Sequence, residues 1–337
     1  MKKNIYILLL LLFSYKSYSQ DIYLSQEFLA SQYLSPASVG LGIYESRFQN
    51  IGRTQFTNGV NIYNTALISW DRKIQYKQDV KTGYLGMGAQ IISDNLMGGA
   101  LQNNNISLNM AYHFVFDERN KHKFSTGIGV TYSTINLNQS KLRFEDQYFS
   151  NGLYSNNATT EIFKKFPSNF TLSTGFIYSF HSENTFLQTS ANLFLITKPK
   201  VTEQYRNAID TVTIDTKRGQ YFINFESYLS DEWTFYLHSY IYNKGSLQFY
   251  VYGGGIGVPI STDDESEKRL YVGCLSRSNL VIIPTINLLV NNYHFGLSYD
   301  LYKTSISSSL IKPNIFEFQL SYSFGKKYKE TFRSLFD

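Results

Sequence analysis

The chain has 337 residues, a net charge of +5 at pH 7 and a single cysteine, Cys274. One cysteine excludes an internal disulfide, and the lysines and arginines are scattered, without the basic stripe that indicates nucleic-acid binding. Aromatic residues make up 17% of the sequence, with 28 Tyr and 26 Phe, although the mean hydropathy is slightly polar. This combination is typical of strands with one face toward lipid and the other toward water.

Residues 1–19 have the pattern of a secretory signal peptide. Two lysines precede a short apolar run, Ile5–Phe13, and Ser17 and Ser19 are small residues that suit a cleavage site. The run is too short for a membrane-spanning helix. We therefore expect export, with the mature chain starting at Gln20.

Residues 20–42 lack a strand pattern and are predicted to form a periplasmic lead-in or a plug. After them, apolar and polar residues alternate in segment after segment, as in Asn292–Tyr302 and Ile315–Phe324. Because a strand shows its side chains to opposite faces in turn, each such segment has one apolar and one polar face. The predicted strands are Ile43–Asn50, Gly59–Arg72, Gly83–Ser93, Asn104–Phe116, Lys123–Asn136, Ser168–Phe180, Thr185–Ile196, Gln220–Leu229, Trp233–Tyr242, Ser246–Pro259, Arg269–Ser276, Val281–Asn291, Tyr293–Lys303 and Asn314–Gly325.

These segments predict an all-β fold: a transmembrane antiparallel β-barrel over residues 43–325, with about fourteen strands and with twelve or sixteen as alternatives. The longest connections, Leu137–Pro167 and Thr197–Gly219, follow odd-numbered strands, whereas short turns such as His181–Asn184 follow even-numbered ones. Bacterial barrels have short periplasmic turns and long outer loops. Both termini are therefore expected in the periplasm, with residues 326–337 as a periplasmic tail and the barrel in the outer membrane, surrounded by its lipid.

Small and acidic residues stand on the predicted lumen face. Four glycines, Gly86, Gly88, Gly127 and Gly129, leave room at the wall for bulky neighbours or for a bound chain. A carboxylate inside a barrel has to be hydrated or paired. Two roles remain open for the predicted lumen carboxylates, pairing with Arg across the lumen or binding a partner chain; they are Asp71, Glu226, Asp300 and Glu317.

No pattern for catalysis, a cofactor or a metal emerges. The glycines of Gly253–Gly257 lie within a predicted strand, with no following helix and no Lys-Ser/Thr pair, so they do not form a phosphate loop. No two of the five histidines have the spacing of metal ligands. A nucleophile turn of the Gly-x-Ser-x-Gly type is also missing from the sequence. We therefore expect a protein that is not an enzyme.

The order of several short motifs resembles the PorP/SprF-like outer-membrane proteins of the Bacteroidetes type IX secretion system. Tyr23–Gly40 (YLSQEFLASQYLSPASVG) resembles the family's opening "FSQ…NPLYLNPA…G", with Ser35 where the family has Asn. Leu270–Pro284 (LYVGCLSRSNLVIIP), followed by Phe295–Asp300 (FGLSYD), resembles its "GxxYR…IIP…FGxSYD" stretch. Phe316–Phe324 resembles its final strand.

The resemblance implies binding rather than catalysis. It implies a barrel that binds the C-terminal sorting domain of a secreted protein or adhesin, supports its export and surface anchoring, and is connected with gliding motility and other secretion components, including a periplasmic ring. An outer-membrane porin or a hydrophobic-substrate channel is the alternative. Besides the lumen carboxylates, the expected partner-binding residues lie in the two long loops: Arg143, Tyr148, Tyr154, Phe163, Tyr205 and Arg206.

Overall fold

The structure is a computed structural model. It describes residues 22–57, 60–74, 83–117, 121–142, 144–149, 153, 155, 168–196, 200–205, 208–213, 217–229, 233–245, 247–260, 268–303, 314–328 and 334–336. For residues 57, 60–62, 200–205 and 208–213 only the backbone is described. The predicted signal peptide lies outside the described residues.

Strands make up most of the fold, because alternating apolar and polar residues favour an extended chain with two different faces. Three helical turns, Glu27–Leu29, Ser31–Leu34 and Pro36–Ser38, come before the first strand. The strands are β1 Tyr44–Thr57, β2 Val60–Ile74, β3 Tyr84–Leu96, β4 Leu101–Val115, β5 His122–Leu137, β6 Asn169–His181, β7 Thr185–Phe194, β8 Lys200–Tyr205, β9 Ala208–Thr213, β10 Arg218–Tyr228, β11 Thr234–Lys244, β12 Leu247–Pro259, β13 Lys268–Arg277, β14 Val281–Val290, β15 Tyr293–Tyr302 and β16 Asn314–Lys327.

Within the described part of the chain, fourteen of these strands close into one antiparallel barrel. Each barrel strand pairs with its sequence neighbour, except that β7 pairs with β10 because β8 and β9 form a separate two-stranded hairpin. The barrel closes where β1 pairs with β16, in a register that joins Ile51 to Gln319 and Arg53 to Glu317. The predicted all-β barrel of about fourteen strands is confirmed.

The two faces of the wall differ as the alternation predicts. On β15, Phe295 and Leu297 point outward and are 37% and 41% exposed, whereas Ser298 and Asp300 are buried inside. The barrel strands have 10 to 16 residues, and a tilted strand of about 9–11 residues crosses a bilayer. None of the helices in the described residues is long and apolar enough to span a membrane.

Several expected bounds differ from the structure by a few residues, and two expectations differ most. β1 was expected to end at Asn50 but continues to Thr57. Along this stretch Ile51 faces the lumen while Asn50 faces outward, so alternation is lost although the backbone stays paired with β2 and β16. The expected loop Thr197–Gly219 contains the β8–β9 hairpin.

The barrel has two unlike ends. At the terminal end, where β1 begins and β16 finishes, β6–β7, β10–β11 and β14–β15 are joined by residues 182–184, 229–233 and 291–292. At the opposite, long-loop end, residues 138–168 join β5 to β6 and residues 195–217 join β7 to β10. The expectation that the terminal end faces the periplasm remains a prediction.

Candidate functional site in the barrel lumen

The lumen holds the beginning of the chain itself. The N-terminal segment, residues 22–43, is almost entirely buried. Ser25 and Gln26 contact Glu317, which lies opposite Arg53 in the strand pairing, in the second half of β1. Gly40 contacts Asp71, which lies opposite Arg47 in the strand pairing, near the start of β1. The segment therefore runs from the long-loop half of the lumen down to the terminal end, where it continues into β1.

Two carboxylates on neighbouring strands hold the upper part of this segment. The backbone N–H of Ser25 donates to Glu317 Oε2 at 2.7 Å, and that of Gln26 donates to Glu317 Oε1 at 2.8 Å. The Ser25 hydroxyl donates to Asp300 Oδ1 at 2.6 Å. Arg277 donates to Asp300 Oδ2 at 2.9 Å and to the Leu24 carbonyl at 3.2 Å. Hydrogen bonds to charged groups are among the stronger ones, so this cluster fixes residues 24–26 against the wall.

A third carboxylate holds the lower part of the segment. Asp71 Oδ2 accepts a hydrogen bond from the Gly40 backbone N–H at 2.7 Å, and Asp71 Oδ1 accepts one from Arg47 Nε at 3.1 Å. Both side chains of the ion pair are buried. Asp71 and Asp300 thus each pair with an arginine of a nearby strand and also bind a segment of their own chain, whereas a role in binding a partner chain stays a prediction.

Uncharged side chains bind the segment's carbonyl groups. The side-chain amides of Gln49 and Gln319 both donate to the Leu29 carbonyl, each at 2.8 Å. His113 Nε2 donates to the Val39 carbonyl at 2.8 Å. These bonds satisfy carbonyls that are out of reach of water, which a buried irregular segment requires.

Glycines on neighbouring strands let the segment approach the wall. A Cβ added at Gly127 would lie 2.5 Å from Ala37 Cα, and one at Gly175 would lie 2.6 Å from Ser35 Oγ. At Gly86 the added atom would collide with the Val39 carbonyl. The room predicted at Gly86, Gly88 and Gly127 is taken up by the chain's own residues 32–39.

Apolar packing turns much of the lumen into a core. Inward-facing Ile51, Leu67 and Ile92 of β1, β2 and β3 pack with the segment's Ile22, Leu24, Ala30 and Tyr33. On the other side, Phe28, Leu29, Leu34 and Leu41 belong to a larger cluster with inward-facing residues of β6, β7 and β10–β14. Sequence alternation missed these contacts. One signal was present: Val281–Val290 is apolar at nearly every position, which indicates a strand that is apolar on both faces.

The fourth lumen carboxylate, Glu226, binds the end of the chain. Its Oε2 accepts hydrogen bonds from the Ser334 hydroxyl at 2.6 Å and from the Leu335 backbone N–H at 2.7 Å. Its Oε1 accepts one from the Tyr271 hydroxyl at 2.7 Å. All four predicted lumen carboxylates are therefore buried in the lumen and bound to terminal segments of the same chain, and a role in binding a partner stays a prediction.

The predicted loop residues are described only in part. Tyr148 directly follows the helical turn Glu145–Gln147 and is 48% exposed. Tyr205 is the last residue of β8. The other four, Arg143, Tyr154, Phe163 and Arg206, lie outside the described residues. Their part in partner binding remains a prediction.

A cavity lined by both polar and apolar side chains, called here the chamber, lies in the long-loop half of the lumen. It has a volume of about 230 Å³. Ile22, Gln32 and Tyr33 of the N-terminal segment contribute to its lining, and the surrounding wall is mostly uncharged. Wall residues from β3–β6 include Gln90, Asn103, Asn105, Ser107, Thr131 and Asn169, and Arg218 and Lys244 are the charged side chains of the lining. Among the residues that the structure describes, no group of three His, Cys, Asp or Glu is arranged to hold a metal ion.

Comparisons with known proteins give a family model that matches the sequence and solved barrels of similar fold. A family model described as type IX secretion system membrane protein PorP/SprF matches residues 16–322. No curated protein matches the sequence significantly. Among solved structures, the deltaS2S3 mutant of the monoaromatic hydrocarbon channel TodX is similar, with a TM-score of 0.51, 10% identity, and 89% of this chain and 94% of that chain covered. A Pseudomonas aeruginosa FadL homologue has a TM-score of 0.47 and 7% identity, with 88% and 94% covered.

Proposed function

We propose that this protein binds the C-terminal sorting domain of a secreted protein or adhesin and supports its export and surface anchoring. The proposal starts from the family: the chain belongs to the type IX secretion system membrane protein family PorP/SprF. The protein is a β-barrel of the bacterial outer membrane. Its partners under this proposal are the sorting domain and other components of the secretion system. No catalytic step is part of the proposed role.

The observation that carries the proposal is the occupied lumen. A diffusion pore needs a continuous polar passage whose lining lets a solute enter and leave. Here the N-terminal segment hydrogen-bonds to wall residues on separate parts of the barrel, namely Glu317 on β16, His113 on β4 and His238 on β11, and apolar side chains pack around it. A barrel filled in this way is better suited to holding protein than to passing solutes.

The chamber supports binding at the long-loop end. Elsewhere in this lumen, Gln49 and Gln319 hold a polypeptide by donating their side-chain amides to a backbone carbonyl. The chamber offers side chains of the same kind, because the amides of Gln90, Asn103 and Asn105 contribute to its lining. An extended strand of a partner would present carbonyl and N–H groups to such a lining, so main-chain bonds could supply affinity with little sequence preference.

Deletion of the gene followed by surface proteomics tests the role. We expect one or a few large surface proteins to disappear while uptake of small solutes is unchanged. The purified barrel in mild detergent should carry the C-terminal domain of the missing protein. A deletion strain with a normal surface proteome and impaired solute uptake would contradict the secretion role and support the channel alternative.

Photo-crosslinking in cells tests the position of binding. A photoreactive residue in place of Asn105, which lines the chamber, should crosslink to the C-terminal domain of the missing surface protein. Leu108 on the same strand is the matched control, because its side chain points outward and is 64% exposed. Crosslinking from Asn105 only to the barrel's own loops or to a glycan would remove the chamber from the binding site.

A further inference from the structure

The end of the chain returns into the lumen. The C-terminal tail, Ser334–Phe336, lies beyond the last strand, yet Ser334 and Leu335 are each 1% exposed and Phe336 is 6% exposed. Its contact Glu226 stands near the end of β10, and Tyr271 near the start of β13, so both belong to the terminal end of the barrel. A barrel needs no such return to close, because β1 and β16 are already paired along their length.

The tail is held by specific polar and aromatic contacts. Glu226 accepts from the Ser334 hydroxyl and from the Leu335 backbone N–H, as described above. The Phe336 N–H in turn donates to the Ser334 hydroxyl at 3.1 Å. The Phe336 ring lies 6.0 Å from the Phe186 ring and 6.1 Å from the Tyr236 ring, measured between centroids. The carboxylate of Glu226 thus holds the hydroxyl-bearing residue of the tail, and aromatic rings surround the phenylalanine two positions later.

The tail also touches the N-terminal segment. The Phe336 and Phe28 rings meet edge to face, with centroids 5.5 Å apart. Next to Phe28, Glu27 Oε1 lies 3.1 Å from His238 Nε2, and the His238 ring is itself 6.5 Å from Phe336. Residues 334–336 and the N-terminal segment are thus packed against each other and against one patch of wall.

We propose that this pocket, formed by Glu226, Tyr271, Tyr236, Phe186 and Phe28, is a peptide-binding site whose resident ligand is the chain's own C-terminus, and that the bound tail keeps the N-terminal segment in the lumen. The site recognises a peptide with serine or threonine, an apolar residue and phenylalanine in succession. Binding at this site does not depend on the secretion role, so either proposal can fail alone.

The experiment releases the tail from a barrel that has already folded as a full chain. A specific protease site is inserted after Tyr328, the purified protein is cleaved in detergent, and the freed tail is washed out. A fluorescent synthetic peptide of residues 329–337 is then titrated. We expect saturable binding to the cleaved barrel and none to the uncleaved barrel, and at least tenfold weaker binding when the peptide carries Phe336→Ala or the barrel carries Glu226→Gln.

A control and a second readout make the result decisive. Glu183→Gln changes an exposed carboxylate in a turn at the same end and should leave peptide binding unchanged. Hydrogen exchange over residues 22–34 should speed up after the tail is removed and slow again when the peptide is added. Absence of saturable binding, or equal binding of the wild-type and Phe336→Ala peptides, would overturn the assignment. If the exchange rate of residues 22–34 does not change when the peptide is added, the proposal that the tail keeps the N-terminal segment in the lumen is overturned.

Discussion

Replacing Glu317 by glutamine tests how the N-terminal segment is held. Glu317 is 1% exposed and uses one oxygen for the Ser25 N–H and the other for the Gln26 N–H. Glutamine has nearly the same shape but only one acceptor oxygen, because its other terminal atom is an NH₂ donor. One of the two backbone N–H groups would therefore face a donor and lose its partner without access to water.

The size of the effect follows from that lost bond. A buried donor left without a partner costs about 1–3 kcal/mol, and the surviving bond becomes weaker because its acceptor is no longer charged. We therefore expect undocking of residues 22–34 to become easier by roughly 2 kcal/mol. Since about 1.4 kcal/mol corresponds to a factor of ten, exchange of the protected amides should accelerate roughly 30-fold.

Hydrogen exchange with mass spectrometry measures the exchange rate of the amides of residues 22–34 in the detergent-solubilised barrel. Glu145→Gln is the matched control, because the same chemical change is made at an exposed turn in the β5–β6 connection, and its exchange pattern should equal that of the wild type. Exchange should stay slow in the wall strands of both variants. If residues 22–34 remain as protected in Glu317→Gln as in the wild type, the reasoning about this carboxylate is refuted.

Three further predictions concern packing, the lipid face and topology. Gly127→Ala places a Cβ 2.5 Å from the backbone of the N-terminal segment and should loosen it by about 1–3 kcal/mol in the same exchange assay, whereas Gly52→Ala, with no atom within 4 Å of the added Cβ, should be neutral. Leu297→Arg on the outer face should destabilise the barrel by about 2–4 kcal/mol in urea unfolding from liposomes, and Leu297→Phe should not. A cysteine at Asn151 should react with an impermeant reagent on whole cells and one at Asp231 should not; the reverse would invert the barrel.

The barrel wall was predictable from sequence because lipid and water impose their alternation on each strand separately. Phe295 and Asp300 can be assigned to opposite faces without knowing anything about the rest of the chain. Connection lengths then distinguish the two ends of the barrel, since hairpin turns and long loops are counted directly, but which end faces the periplasm stays a prediction. The same local logic placed Glu226 and Glu317 in the lumen.

The contacts inside the lumen were not predictable, because no local pattern specifies them. The contact of Ser25 with Glu317 joins residues 292 positions apart. Alternation predicts which face of a strand is polar but not which residues pack against that face. It also does not identify the inner face where that face is apolar, as at Ile51. The β8–β9 hairpin was not predicted for a related reason. Its strands of six residues lie outside the barrel sheet and need no lipid-facing row of apolar residues.

The two occupants of the lumen differ in how readily a partner could replace them. In residues 22–34 of the N-terminal segment, six large apolar side chains are buried: Ile22, Leu24, Phe28, Leu29, Tyr33 and Leu34. Moving each of these side chains from the packed lumen into water costs roughly 1.5–3 kcal/mol. Removing all six would therefore cost on the order of 10 kcal/mol before any hydrogen bond is counted. The C-terminal tail buries only Leu335 and Phe336 in this way, which corresponds to about 3–6 kcal/mol. We therefore expect a partner to displace the C-terminal tail more readily than the N-terminal segment, and a partner in the chamber to bind beside the N-terminal segment without displacing it.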